Sequence, residues 1–351
     1  TEKIHHIPDV LYSWRETAAS TAVNPDSKPY AHEAGRKALD AHLKRRYGDK
    51  AYAADGPYTF VYDARFPLPE KELKISIIIP TKDHSELLDD CVNSILDISE
   101  YTNYEVIILD NRSEQAKTFD CFNKLCQKDP RIRVIKADFN FNWSRLNNFG
   151  IENSDGDVFV FLNNDTRVIS PDWLTRLAEN AMREDIGVVG AMLLYDDNTI
   201  QHAGVVIGMN GWADHVFKAM HKYHAADPFV SPMVNRDVLA VTGACMAISR
   251  NVIKKIGKFD ERFIVCGSDV EMCIRAYKRG LNVMYNANVQ LYHLESKTRD
   301  VKDIPDVDFT LSQRTYYHFL KNGDPFFNRN LDSANTTPTV RTDGKENLSC
   351  H

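Results

Sequence analysis

The chain has no glycine cradle for phosphate. Neither G-x-G-x-x-G nor a Walker A run occurs in its 351 residues, which argues against a dinucleotide site or a P-loop. No stretch approaches the ~18–20 consecutive apolar residues that a membrane-crossing helix needs. A basic surplus is missing as well: 43 Lys and Arg stand against 49 Asp and Glu, a net charge of −6. That argues against a protein that wraps nucleic-acid backbone. The seven cysteines (Cys91, Cys121, Cys126, Cys245, Cys266, Cys273 and Cys350) include no C-x2-C pair, so a four-cysteine zinc site is excluded. Buried, reduced thiols of a cytoplasmic protein are the expectation. The chain opens on Thr1 with no signal peptide, and is expected to be a piece of something longer.

What is present is a strand–helix rhythm. Residues 1–70 are rich in His, Tyr, Ala and Pro and read as an arm. Within it, 30–47 has apolar Ala34, Leu39 and Leu43 at helical spacing and a basic C-terminal end that suits the helix dipole. Residues 57–70, with Pro57, Pro67 and Pro69, read as an extended linker. The main domain is placed at 71–325. Its first segment, Ile75 to Ile79 closed by Pro80, is an apolar run of the kind buried on both faces of a parallel sheet. A helix over 85–98, a strand Glu105 to Leu109, a helix over 115–128, a strand Arg133 to Lys136, a helix over 144–153 and a strand Val158 to Leu162 follow. This alternation predicts a doubly wound α/β domain with right-handed crossovers. Beyond Asp165 the pattern gives a helix over 171–184, a β-rich stretch over 187–208 and a His-rich loop region over 209–236. A strand Val238 to Ser249, a helix Asp269 to Arg279, a strand Asn282 to Tyr292 and a helix over 307–321 complete it. The polar composition of 326–351 predicts a disordered tail.

Ligands of open α/β sheets bind at the carboxyl ends of the strands. The first strand ends in Pro80, Thr81, Lys82 and Asp83, the second in Asp110, Asn111, Arg112 and Ser113, and a third in Asn163, Asn164, Asp165 and Thr166. A carboxylate rim without a glycine cradle suits a nucleotide read by hydrogen bonds, its diphosphate carried by Mg²⁺ or Mn²⁺. The plainer alternative is that these residues cap the helices that follow. Asp269 and Glu271 open a helix two positions apart and do not share a face. One of them beside an anionic substrate is a candidate general base; stabilisation of the helix start is the alternative. His293 is either a metal ligand or a structural hydrogen-bonder. His202, His215, His221 and His224, with Trp212 and Phe217, offer rings and donors to a sugar, or else anchor a surface loop.

In order and content these segments resemble the family 2 glycosyltransferases of the GT-A fold. The residues that carry the resemblance are SIIIPTKD at 76–83, VIILDNRS at 106–113, FNFNWSRLNNFGI at 139–151, FLNNDT at 161–166, IQHAGVVIG at 200–208, VTGACMAISR at 241–250, FDERF at 259–263, GSDVEMCIR at 267–275 and HLES at 293–296. Within the family the chain is similar to bacterial enzymes that build cell-surface polysaccharides and protein-linked glycans. The fold implied is α/β, a central mixed sheet flanked by helices.

The resemblance also implies roles. Pro80, Thr81, Asp83 and Asp110 would contact the nucleoside, Asn148 and Gly150 would line the donor pocket, and Gly243 and Ala244 would turn beside the donor sugar. The family's D-x-D metal motif falls on Asn163, Asn164 and Asp165, which leaves Asp165 as the main ligand and His293 as the distal one, for Mn²⁺ or Mg²⁺. Asp269 matches the catalytic base; the family's neighbouring acids fall on Ser268 and Glu271. His202, His215 and Glu271 become acceptor-side candidates. The implied reaction is inverting, metal-dependent transfer of a hexose from a nucleotide-diphospho sugar to a hydroxyl of a growing glycan on protein or lipid. UDP-glucose or UDP-N-acetylglucosamine is the first expectation for the donor, dTDP-rhamnose or UDP-galactose the next. A transferase-like glycan-binding module without activity and a nucleotidyltransferase are the competing readings. The arm resembles the segment between tandem transferase modules, which implies a preceding module. The implied location is cytoplasmic or peripheral at the inner membrane face, with no nucleic-acid partner and with homo-oligomerisation left open.

Overall fold

The computed structural model describes residues 5, 7, 11–12, 29–69, 72–223, 231–294 and 304–341. The rest of the arm, His224, Glu295, Ser296 and residues 342–351 of the expected tail lie outside the described residues. The elements run α1 (Pro29–Tyr47), β1 (Tyr52–Asp55), β2 (Tyr62–Arg65), β3 (Ile75–Thr81), α2 (Ser85–Ile98), β4 (Tyr104–Asp110), α3 (Ala116–Lys128), β5 (Ile132–Lys136), α4 (Trp143–Glu152), β6 (Val158–Leu162) and β7 (Thr166–Val168). They continue as α5 (Trp173–Ala181), β8 (Ile186–Leu194), β9 (Ile200–His202), β10 (Val205–Ile207), β11 (Ala213–His215), β12 (Arg236–Val238), β13 (Cys245–Ser249), α6 (Arg250–Ile256), α7 (Ser268–Lys278), β14 (Asn282–His293) and α8 (Asp306–Asn322).

One sheet in the order β12-β14-β8-β13-β6-β3-β4-β5 forms the centre, with β7 on β14 and β9 on β8. β3 pairs parallel with β4 and β6, and β4 with β5. β13 runs antiparallel between β6 and β8, and β14 returns parallel to β8. The sheet is therefore mixed, as the resemblance implied. Its central strands are apolar on both sides: Ile75, Ile77 and Ile79 face one core, Ile78 the other. On the first side α2 sets Leu88, Cys91, Val92 and Ile95 at helical spacing against the strands, with Trp173 of α5 beside them. Each such side chain, fully buried, contributes about 1.5–3 kcal/mol. On the second side α4, α6 and α7 supply Leu146, Ile253 and Met272. A Cβ on Gly150 would stand 2.4 Å from Ile78 Cγ2. Only glycine lets α4 come this close to β3, so Gly150 works through packing.

Three segments differ from the sequence reading. Residues 57–70 are not a plain linker: β2 pairs antiparallel with β1, Tyr52 opposite Arg65. The prolines fall in the connecting turn and after β2, where they cost no ladder bond. This hairpin is tied to the domain through charge. Arg65 Nε donates to Glu179 Oε1 at 2.9 Å, and Arg176 Nη1 to Asp63 Oδ2 at 2.7 Å. The apolar stretch Val238 to Ser249 is two pieces, β12 and β13, separated by a buried loop over 239–244. Within that loop a Cβ on Gly243 would meet the Trp143 ring at 2.6 Å. Finally, residues 326–341 are laid against the β10–β11 hairpin rather than disordered. Phe217 N–H donates to Thr336 O at 2.7 Å and Asn210 N–H to Ser333 O at 2.8 Å. Asn328, Asp332 and Asn335 each accept from the backbone N–H two residues on. The polar composition is therefore a run of side-chain-closed turns.

Candidate active site

Thr81 ends β3, and its hydroxyl accepts from Asn164 Nδ2 at 2.9 Å, which ties the ends of β3 and β6 together. Pro80 precedes it within β3. Asp110 ends β4, nearly buried, its Oδ1 accepting from Ser113 N–H at 2.9 Å. Asp83 sits in the left-handed region at φ 54°. Its Oδ1 accepts from Glu114 N–H at 3.0 Å, Gln115 N–H at 2.9 Å and Thr118 Oγ1 at 3.2 Å. Burial alone would raise its pKa, but these hydrogen bonds outweigh it and hold the carboxyl below its usual range. At Asp83 the capping alternative is thus what the structure shows, with one carboxylate oxygen fully used on the start of α3.

Asn148 is buried in α4 with its amide engaged on both sides. It donates to Phe259 O and Glu261 Oε1, each at 2.9 Å, and accepts from Phe259 N–H at 2.9 Å. It braces the 259–261 loop rather than facing an open pocket. Glu271 likewise turns to its own helix, paired with Arg275 at 3.0 and 2.6 Å. The acceptor-side expectation for Glu271 has no support in this geometry.

The remaining candidates converge. Asp165 Oδ1 stands 3.2 Å from His293 Nε2, both side chains almost fully buried. Asn163 Nδ2 lies 3.1 Å from the same nitrogen. Leu294 N–H donates to Asp165 O at 2.9 Å, which fixes the end of β14 against the β6–β7 turn. Two adjacent ligands of one cation held at about 2.1 Å stand about 3 Å apart. The Asp165–His293 spacing fits that requirement, and a carboxylate oxygen with an imidazole nitrogen is a donor set for a divalent cation. Among the described residues no cluster of three or more His, Cys, Asp or Glu side chains forms.

Asp269 lies across the 242–244 loop from this pair. Its Oδ2 accepts from Gly243 N–H at 2.8 Å and its Oδ1 from Val270 N–H at 2.9 Å. Burial raises its pKa, and the pull of Gly243, Val270 and the nearby His215 only partly offsets the rise. From the other side, Asn163 N–H donates to Ala244 O at 3.0 Å. Gly243 and Ala244 therefore link Asp269 to Asn163 through two hydrogen bonds, and Asn163 Nδ2 in turn meets His293. A carboxylate whose pKa is lifted toward neutrality is a better proton acceptor than an exposed one.

His202 and His215 are in contact, Nδ1 to Nδ1 at 3.3 Å. His202 is fully buried, and burial first, then His215 and Arg236, hold its pKa well below the usual value, so it is neutral near pH 7. His215 Nδ1 lies 2.9 Å from Gln201 O. A carbonyl only accepts, so that nitrogen carries the proton.

Two contributors were missed from sequence. Asp308, in the first turn of α8, accepts from Ile264, Val265 and Cys266 N–H at 2.8, 2.7 and 3.0 Å. It pins the loop that delivers Asp269. Read from sequence, an acid in a first turn signals only helix charge. Gln201 contacts His293 at both its ring and its main chain; its place beside His202 in IQHAG was the available signal. The buried thiols of Cys91, Cys245 and Cys273 have their pKa values raised by burial, that of Cys91 to about 12. They are inert core residues. No helix among the described residues is long and apolar enough to cross a membrane.

A protein of Sinorhizobium fredii, y4gI, is 39% identical over 94% of this chain and 37% of its own length. The O-antigen biosynthesis protein RfbC of Myxococcus xanthus is 38% identical over 97% of this chain and 26% of its own. The chain thus spans about a quarter to a third of these relatives. Among solved structures, GalNAc-T7 with UDP, GalNAc and Mn²⁺ superposes with a TM-score of 0.53 at 13% identity, over 64% of this chain and 44% of that one. At that identity the likeness concerns the fold, which is GT-A as the sequence implied. The model of Glycosyl transferase family 2 matches residues 76–257, and with over half of its length so matched the chain belongs to that family.

Proposed function

We propose that the protein is an inverting, divalent-cation-dependent hexosyltransferase that moves glucose or N-acetylglucosamine from a UDP-sugar to a hydroxyl of a growing glycan. The observation that carries this is the pair of sites on one loop: Asp269, buried with a raised pKa, and Asp165 with His293 across Gly243 and Ala244. Thr81 and Asp110 at the strand ends offer the nucleoside its contacts. Asp165 and His293 would hold Mn²⁺ or Mg²⁺, which when bound stabilises the charge of a departing nucleoside diphosphate. An acceptor hydroxyl is a weak nucleophile until its proton is removed; Asp269 takes it as attack proceeds. Attack from the face opposite the diphosphate inverts the anomeric carbon, and a single base suffices. The Mn²⁺ named with GalNAc-T7 and the O-antigen role named for RfbC support the cation and the surface-glycan acceptor. In this reading the chain is one module of a longer cytoplasmic enzyme at the inner membrane face, with its acceptor on lipid or protein. A screen of nucleotide sugars with Mn²⁺ and with EDTA tests it. Nucleoside diphosphate release that needs the cation supports the proposal; pyrophosphate release, or no turnover with any donor, counts against it.

A further inference from the structure

We infer that Gln201 is a positioning residue for the cation site: it sets the tautomer of His293. This rests on the proposed role of His293 as a ligand. Gln201 Oε1 lies 2.6 Å from His293 Nδ1, and Gln201 Nε2 donates to His293 O at 3.3 Å. The second contact fixes which end of the amide is which, because a main-chain carbonyl accepts only from the NH2 end. Oε1 must then be the atom that meets Nδ1, and an amide oxygen can only accept. The Nδ1 therefore carries a proton, which leaves Nε2, 3.2 Å from Asp165 Oδ1 and 3.1 Å from Asn163 Nδ2, as the nitrogen that a cation would take. That is the state in which an imidazole binds a cation.

The side chain is buried, 2% exposed, on β9, whose register on β8 sets Leu193 opposite His202. It is held where it is by the sheet and not by the ligand. The residue acts at two places through different atoms. Its side chain holds His293, while its main-chain carbonyl accepts from His215 Nδ1 on the base side. Replacing the side chain thus removes the first contact and leaves the second, which gives the experiment an internal control.

The test measures binding of Mn²⁺ alone by electron paramagnetic resonance of the free ion, in the wild type, Gln201→Leu and Gln201→Glu. Loss of a hydrogen-bond partner behind a ligating histidine weakens metal binding by about 10–100-fold. We expect that loss in Gln201→Leu, and recovery to within about fivefold in Gln201→Glu, which restores an acceptor for Nδ1–H. In parallel, ¹⁵N-edited spectra of histidine-labelled, metal-free wild type should show His293 as the Nδ1–H tautomer, a readout that does not depend on any variant folding. Equal Mn²⁺ affinity in wild type and Gln201→Leu, or an Nε2–H tautomer for His293, overturns the inference and leaves the transferase reading standing. Failure of the wild type to bind Mn²⁺ overturns the cation site itself.

Discussion

Asp269→Asn separates catalysis from folding, because the two pull on this residue in opposite directions. The substitution keeps the shape and leaves an oxygen to accept the Gly243 N–H now bound at 2.8 Å. It removes the only feature the proposed chemistry needs, a site for a proton. A positioned base contributes about 10²–10⁴-fold, or about 3–5 kcal/mol of barrier, so kcat should fall by that factor with little change in KM for the donor. Stability should move the other way. Burial raises the pKa of Asp269 above its usual 3.8. Folding therefore favours the protonated form, and the residue costs increasing stability as pH rises past that value. Asparagine removes this dependence but sets an NH2 where Oδ1 accepts from Val270 N–H, so the urea resistance of the variant should vary less with pH than that of the wild type. The wild-type rate should also rise with pH along an acid limb above the usual carboxylate range, and the variant should lack that limb. Nucleoside diphosphate release over pH 4–9, paired with urea unfolding, measures both. Turnover of the variant within about threefold of wild type would refute the base assignment. A variant that keeps the wild-type slope of stability against pH would refute the burial argument.

Other perturbations test what holds the site. Asp308→Ala strips three backbone N–H groups of their acceptor at 2.7–3.0 Å; at about 1–3 kcal/mol for each buried group left unmade, urea unfolding should show a loss of several kcal/mol, and kcat should drop with it. Arg65→Ala leaves Glu179 buried without its guanidinium; burial already holds the Glu179 pKa up to about 7, so the carboxyl should take up a proton, the tie to the hairpin is lost, and limited proteolysis should then cut first at the β1–β2 hairpin. Asp324 holds Ile207 N–H and Phe326 N–H, and burial pushes its pKa up to about 6. Its contribution is most favourable below about pH 4 and is lost as pH rises to about 6, a change of about 3 kcal/mol at 1.36 kcal/mol per pKa unit. Asp324→Asn should flatten the urea-stability profile over that window, and an unchanged slope would count against the assignment.

The strands were legible because burial on both faces leaves a continuous apolar run: Ile75 to Ile79 and Val158 to Leu162 can hardly be anything else. The strand ends, and with them Thr81, Asp110 and Asp165, followed from position alone. What could not be read was where each polar side chain spends its hydrogen bonds. Asp83 and Asn148 are the same residue types as Asp110 and Asn163, and Glu271 is a carboxylate like Asp269. Yet the first three are engaged with a helix start, a loop and a neighbouring arginine. That choice depends on backbone groups brought in from elsewhere in the chain, up to 111 positions away in the case of Asn148. Asp308 was missed for the same reason, since its partners lie 42–44 residues upstream.

The loop between β12 and β13 links Asp269 to the Asp165–His293 pair, so in the proposed mechanism the two are not independent. Gly243 gives its N–H to Asp269, and the next residue gives its carbonyl to Asn163, whose amide reaches His293. A side chain at 243 would have to push either the Trp143 ring, 2.6 Å from its Cβ, or Asp269 Cβ at 3.3 Å. The ring is wedged edge-on against Phe259 at 5.0 Å, and Phe259 in turn against Phe161 of β6 at 4.8 Å. It has little room to yield, and a packed core moves as a unit rather than atom by atom. The strain would therefore shift the loop, and shifting the loop displaces Asp269 and the Asn163–His293 contact together, the proposed proton acceptor and the proposed cation site. Precise placement of two groups relative to each other is worth far more to a displacement reaction than the strength of either alone. A short, glycine-bearing loop set against the Trp143 ring and the sheet would supply that placement without any contact between the groups themselves.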